Sequence, residues 1–195
     1  MRSGLQLVVV VGAATPPGRL AAAARRFADE ALRTQEELSV ASVDLHKSSI
    51  DICDGRPMAE CSASTKAAVQ SIENADIVAI FSPTYRGSFP GVLKNLLDQL
   101  PLDALRSKPV GIVAMGATEH HYLGVDWHLR AVLAWFGALV APTSPYLTGR
   151  DFGPDRLPSA SALAELTALT DTLVRLAAAP GDTSLGPPPL AERQP

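Results

Sequence analysis

The chain predicts a three-layer α/β domain built on a parallel sheet. Short β-branched runs alternate with longer amphipathic stretches along its length. Strands joined in that way by helices cross over with one hand and lie side by side in parallel. The strand-like runs are also continuously apolar instead of alternating, as strands buried on both faces must be.

Leu5–Val11 (LQLVVVV) reads as the central strand, and Gly12–Arg19 (GAATPPGR) as the turn at its carboxyl end. In the helix that follows, Leu20, Ala24, Phe27, Ala28 and Ala31 share one face. Leu38–Leu45 alternates and reads as the second strand. His46–Glu60 is irregular, with Asp54-Gly55 and Pro57 as turn signals. Ser64–Asn74 reads as a short helix and Asp76–Phe81 as the third strand. A loop from Ser82 to Gly87 leads to a helix with Ser88 as expected N-cap, Pro90 in its first turn and Pro101 past its end. Val92, Leu93, Leu96, Leu97 and Leu100 recur there at helical spacing. Pro109–Met115 is the expected fourth strand, His121–Phe136 a helix closed by Gly137, and Leu139–Leu147 a weaker edge strand holding Pro142 and Pro145. Gly149–Pro158 reads as loop and Ala160–Ala178 as the last helix. Five strands in this arrangement suggest the flavodoxin-like order 2-1-3-4-5, with a ligand beside strands one and three. Residues 1–180 are expected to form one domain. Residues 181–195 (GDTSLGPPPLAERQP) have too few apolar side chains to hold themselves down and are expected to be a disordered tail.

Composition narrows the function classes. The 195 residues are 47% hydrophobic and 19% charged, with a net charge of −3. That balance fills a core and lacks the basic face a nucleic-acid binder needs. The N-terminal apolar run is too short to span a membrane and ends in a glycine turn, not a cleavage site. Cys53 and Cys61 sit in no CxxC or metal pattern, and two thiols in a chain of this size suit a reducing cytoplasm. His120, His121 and His128 gather no further ligands in the sequence, so a metal site is not expected. Asp126 and Arg130 stand four apart as a helix ion pair.

Three loops fall at the carboxyl ends of strands, where open parallel sheets bind ligands. Gly12, Gly18 and Arg19 surround a helix N-terminus, which favours an anion. Ser82–Gly87 (SPTYRG) holds its backbone with Pro83 and offers a ring at Tyr85 and a charge at Arg86. Gly116-Ala117-Thr118 is small enough for a ring edge to approach the backbone. By residue type alone, these stretches fit plain βα connections as well as a site.

The run SPTYRGSFPGVLKNLLD from Ser82 to Asp98 resembles the flavin-contact signature of the NAD(P)H-dependent FMN reductases. The third loop and residues 121–133 (HYLGVDWHLRAVL) are similar to the branch that feeds alkanesulfonate monooxygenases. The likeness covers roughly residues 5–150. It implies that Ser82, Pro83, Thr84, Tyr85, Arg86 and Gly87, with Gly116, Ala117 and Thr118, carry the isoalloxazine ring. It implies FMN as cofactor with NADPH or NADH as hydride donor, and a flavin-dependent monooxygenase or another acceptor downstream. It further implies a homodimer or homotetramer assembled through the helices after Ser88 and His120, where Trp127 and Trp135 stand opposite an already apolar face. In that branch an added aromatic can introduce a π-bulge, which singles out Trp127. No side chain is assigned as catalytic acid or base.

The first loop departs from the family. Hydroxyl residues expected around the FMN phosphate are replaced by Ala13, Gly18 and Leu20, leaving Arg19, Thr15, Gly12 and backbone amides. Each lost hydrogen bond to a charged group is worth about 1.5–3 kcal/mol. The expectation from this loop is weak, exchanging FMN and little discrimination against riboflavin. The alternative reading is a flavodoxin-fold protein repurposed as a non-reductase accessory or binding subunit.

Overall fold

In a computed structural model, residues 4–178 are described, and the expected tail at 181–195 lies outside them. The strands are β1 (Leu5–Val11), β2 (Leu38–Asp44), β3 (Ile77–Pro83), β4 (Pro109–Met115), β5 (Leu139–Val140) and β6 (Tyr146–Leu147). The helices are α1 (Arg19–Thr34), α2 (Ala63–Asn74), α3 (Gly91–Asp98), α4 (Gly124–Trp135) and α5 (Ala160–Ala177). The sheet is parallel in the order β2-β1-β3-β4-β5, with β6 also pairing β4. β1 is therefore central, as its unbroken β-branched run predicts.

The pleat divides β1 between two cores. Val8 and Val10 join α2, α3 and α4 on one face through Val69, Ile72, Leu93, Leu96, Leu129 and Leu133. Leu7, Val9 and Val11 join α1 and α5 on the other through Phe27, Leu166, Leu169 and Leu173. Phe27 meets Phe81 edge to face, ring centres 5.3 Å apart. Gly111 in β4 lets α5 close on the sheet: a Cβ there would stand 2.9 Å from Leu173 and 3.1 Å from Leu169. Each such side chain, fully buried, contributes about 1.5–3 kcal/mol. Among the described residues no helix is long and apolar enough to cross a membrane, and Cys53 and Cys61 are both free.

Four boundaries differ from the sequence reading. β3 runs on to Pro83, because Ser82 and Pro83 still stand opposite Ala114 and Met115 of β4. Ser88 does not cap α3. It is held in a turn with Tyr85, and Pro90 stands at the cap, its carbonyl accepting from Leu93 and Lys94. The edge strand expected over Leu139–Leu147 is cut into β5 and β6. Pro142 and Pro145 lack the N–H that a ladder needs, and the Ala141 carbonyl accepts from Arg130 Nη1 at 2.9 Å. The helix expected from His121 begins at Gly124, after a 3₁₀ turn over Glu119–His121, and is α-helical throughout. Its buried face is Val125, Leu129 and Leu133, while Tyr122 is exposed.

Candidate functional site

The loops after β1, β3 and β4 end on the same side of the sheet, because all three strands are parallel and adjacent. The first is tied at both ends. Gly12 N–H donates to the Phe81 carbonyl at 2.8 Å, and His46 Nδ1 donates to the Ala14 carbonyl at 3.1 Å. A Cβ on Gly12 would press to 2.9 Å from Leu93, so this glycine brings β1 and α3 together. Thr15 and Arg19 are exposed and Gly18 half-buried. Gly18 begins α1 with no side-chain cap and no acidic residue in the first turn. The first-turn amides of α1 therefore point out of the loop without a side-chain acceptor, a local excess of positive potential. Pro16 and Pro17 contribute no N–H, so the donors of this loop are confined to its two ends.

The second loop is a tight turn. Tyr85 and Ser88 exchange both backbone hydrogen bonds, at 2.7 and 3.1 Å, across Arg86 and Gly87. Their φ angles are +52° and +78°. Two successive positive φ values mark a type I′ turn, which glycine adopts freely and arginine at a cost of about 1–2 kcal/mol. The exposed Tyr85 and Arg86 side chains project from its tip. Just before it, Thr84 N–H donates to the Met115 carbonyl at 2.7 Å, fixing the loop to β4. Thr84 Oγ1 is buried without any hydrogen-bond partner. Ser82, in contrast, is fully buried and donates to the Pro83 carbonyl at 3.0 Å, so its hydroxyl is already engaged.

The third loop is braced from β6. Tyr146 Oη donates to the Thr118 carbonyl at 2.7 Å. A side chain on Gly116 would collide with that phenol, so Gly116 makes room for Tyr146. His120 Nδ1 contacts Thr118 Oγ1 at 3.2 Å. The second and third loops also meet directly. A Cβ on Gly124 would collide with the Gly87 carbonyl, so the start of α4 seats against the turn.

A fourth loop, after β6, joins the other three and has no counterpart in the sequence reading of the site. Thr148 caps a 3₁₀ turn at Gly149–Asp151 through a capping box with Asp151. Phe152 is buried in the cluster that holds Ala13 and Leu20. This loop and the third line a cavity of about 300 Å³ formed by Ala117, Thr118, Glu119, His120, Thr148, Gly149 and Arg150. Arg150 and Glu119 bridge it at 3.4 Å, both highly exposed, a pair worth little in water. No sequence motif marks Gly149–Pro158; only its packing brings it here.

Asp126 and Arg130 of α4 form the expected ion pair, at 2.8 Å. Ser144 Oγ also donates to Asp126. Burial pushes the Asp126 carboxyl up, but hydrogen bonds from Arg130 and Ser144 and the Arg130 charge outweigh it and hold the group below its ordinary range. This network fastens α4 to the broken sheet edge; it lies apart from the loop tips.

Residues 5–152 match the profile described as NADPH-dependent FMN reductase. The chain is 37% identical over 117 residues to an NAD(P)H-dependent FAD/FMN reductase of Geobacillus thermodenitrificans (strain NG80-2), covering 60% of this chain and 63% of the relative. It is 40% identical over 100 residues to the NADH-dependent FMN reductase SfnF of Pseudomonas fluorescens (strain Pf0-1), covering 51% and 54%. In each case the chain spans less than two-thirds of the relative's length. The crystal structure of an NADH:FMN oxidoreductase in its apo form superposes with a TM-score of 0.74 at 22% identity, covering 92% of this chain and 94% of that one. At that identity the superposition speaks for the fold alone.

Proposed function

The chain belongs to the NADPH-dependent FMN reductase family, and from that premise we propose that it reduces FMN with NADH or NADPH. The observation that carries the reading is Thr84. A buried hydroxyl without a partner costs about 1–3 kcal/mol, and this one lies where the loops after β1, β3 and β4 converge. An edge of a polar heterocycle would satisfy it. The remaining donors fit the rest of a flavin nucleotide: backbone amides and Arg19 at the head of α1 suit its phosphate, and Tyr85 and Arg86 flank the ring. Gly12, Thr15 and Gly18 complete the phosphate loop, Ser82, Pro83 and Gly87 shape the ring loop, and Gly116, Ala117 and Thr118 close the far side.

When bound, flavin would supply the redox chemistry, with the reduced nicotinamide as its hydride donor. The chain's own part is to hold and shield. The Tyr85–Ser88 turn, braced by Gly124, keeps one wall fixed. Tyr146 keeps the Thr118 loop in place. No side chain has to move a proton for the hydride to pass.

The finer reading follows the same premise. Reduced flavin leaves for a partner monooxygenase or another acceptor in the cytoplasm, and the protein acts as a homodimer or homotetramer. A groove of about 460 Å³ between α3 and α4, lined by Leu97, Leu100, Leu102, Ala131, Val132 and Trp135, is the surface offered to a second copy.

The test is a pair of measurements on the purified protein. NADH and NADPH oxidation, followed at the nicotinamide absorbance, should depend on added FMN, and flavin fluorescence should change on binding. A protein that binds FMN yet oxidises neither nicotinamide would be the accessory subunit instead. One that binds no flavin would defeat the reductase reading and leave the repurposed fold in its place.

A further inference from the structure

Arg156 lies far in sequence from the first loop, yet its side chain reaches it. The Gly153–Arg156 turn closes through Arg156 N–H to the Gly153 carbonyl at 2.9 Å, and Gly153 N–H donates to Leu157 O at 2.9 Å. Arg156 itself is left-handed, with φ +64°. Phe152, just before this turn, is buried in the same cluster as Ala13 and Leu20 at the head of α1. A Cβ on Gly18 would stand 3.9 Å from Arg156 Nη2, and a Cβ on Gly149 would stand 3.9 Å from Arg19 Nη1. Each guanidinium thus lies against the other loop's glycine.

Four other arginines of the chain are held in ion pairs. Arg33 meets Glu30, Arg56 meets Asp54, Arg130 meets Asp126 and Arg150 meets Glu119. Among the described residues, neither Arg19 nor Arg156 has a carboxylate within ion-pair distance. Two guanidiniums on neighbouring loops, one of them beside the uncapped start of α1, add positive potential there and favour an anion. A guanidinium also makes two parallel bonds to a phosphate, which the missing hydroxyls would have made singly.

We infer that Arg156 is a specificity residue: together with Arg19 it grips the terminal phosphate of FMN and replaces the hydroxyls absent at Ala13, Gly18 and Leu20. The inference rests on the proposed FMN-binding function. It reverses the expectation from the first loop alone, because that loop holds only half of the charge.

The experiment measures dissociation constants for FMN and riboflavin by flavin fluorescence, in wild type, Arg156→Ala, Arg156→Gly, Arg156→Lys, Arg19→Ala and the Arg19→Ala/Arg156→Ala double variant. Wild type should prefer FMN by well over tenfold. Arg156→Ala should weaken FMN by about ten- to a hundredfold with riboflavin unchanged. Arg156→Gly, which relieves the positive φ, should lose FMN preference equally, separating charge from fold. Lysine should restore part of it, and the double variant should bind both flavins alike. Unchanged riboflavin binding shows that the ring site is intact in each variant. If flavins bind but the FMN-to-riboflavin ratio survives Arg156→Ala, the inference is overturned and the proposed function stands. If wild type binds neither flavin, the proposed function is overturned and the inference with it.

Discussion

Thr84 carries a hydroxyl that the apo protein would be better without. Its Oγ1 is buried and unpartnered, so replacing it by the equally shaped valine removes a desolvation penalty of about 1–3 kcal/mol. Thr84→Val should raise the melting temperature of the apo protein by about 2–4 °C per kcal/mol gained. The same change should weaken FMN and riboflavin alike, because both share the ring. A variant that melts higher and binds flavin as wild type does would remove Thr84 from the site. Thr84 was legible in the sequence because it lies inside a long ungapped signature. Arg156 was not. Nothing in GPDRLP marks it, and only the fold brings its guanidinium to Gly18. Gly116 has a second role that its small size did not reveal: it makes room for Tyr146, thirty positions on.

At the scale of elements, α4 joins the site to the edge of the sheet. Its apolar spacing was readable, but its start was not. His120, His121 and Tyr122 are all tolerable in a helix, and only the contact of Gly124 with Gly87 explains where the helix begins. The break in the edge strand was half legible, since Pro142 and Pro145 predict an edge but not two separate strands. Arg130 and Ser144 then tie that break to Asp126. Because the Asp126 carboxyl is held below its ordinary value of 3.8, its folded pKa is lower than its unfolded one. The stability it contributes is fully present above that ordinary value and is lost as pH falls through the folded one. Asp126→Asn should therefore melt lower than wild type at neutral pH, with the gap closing in acid. A gap that stays constant across the titration would show that the carboxylate's charge does not matter there.

For the molecule as a whole, the two helical layers differ. The α1/α5 side is closed over the sheet. The other side leaves Leu102, Trp127 and Trp135 exposed, by 54%, 74% and 41%. Three large apolar side chains near one groove are more than an isolated soluble domain usually leaves wet. If a second copy covers them, as proposed, Ala131→Glu should place a charge in the groove and split the oligomer. Sedimentation at low micromolar protein is the measurement, and an unchanged mass would exclude this face. The sheet order and both layers were legible because hydrophobic periodicity reports burial directly. What covers an outer face was not, since a buried interface and a solvent-exposed stripe use the same spacing.

Gly111 has a consequence for how the chain is made. The cleft it opens in β4 is filled by Leu169 and Leu173 of α5, the last helix among the described residues. At about 5–20 residues per second, several seconds separate the emergence of β4 from that of α5. During that interval Ile77, Ala79 and Val113 have α1 beside them but lack their second cover. Until α5 emerges, the nascent chain carries an uncovered apolar seam down one side of its sheet, exposed to aggregation.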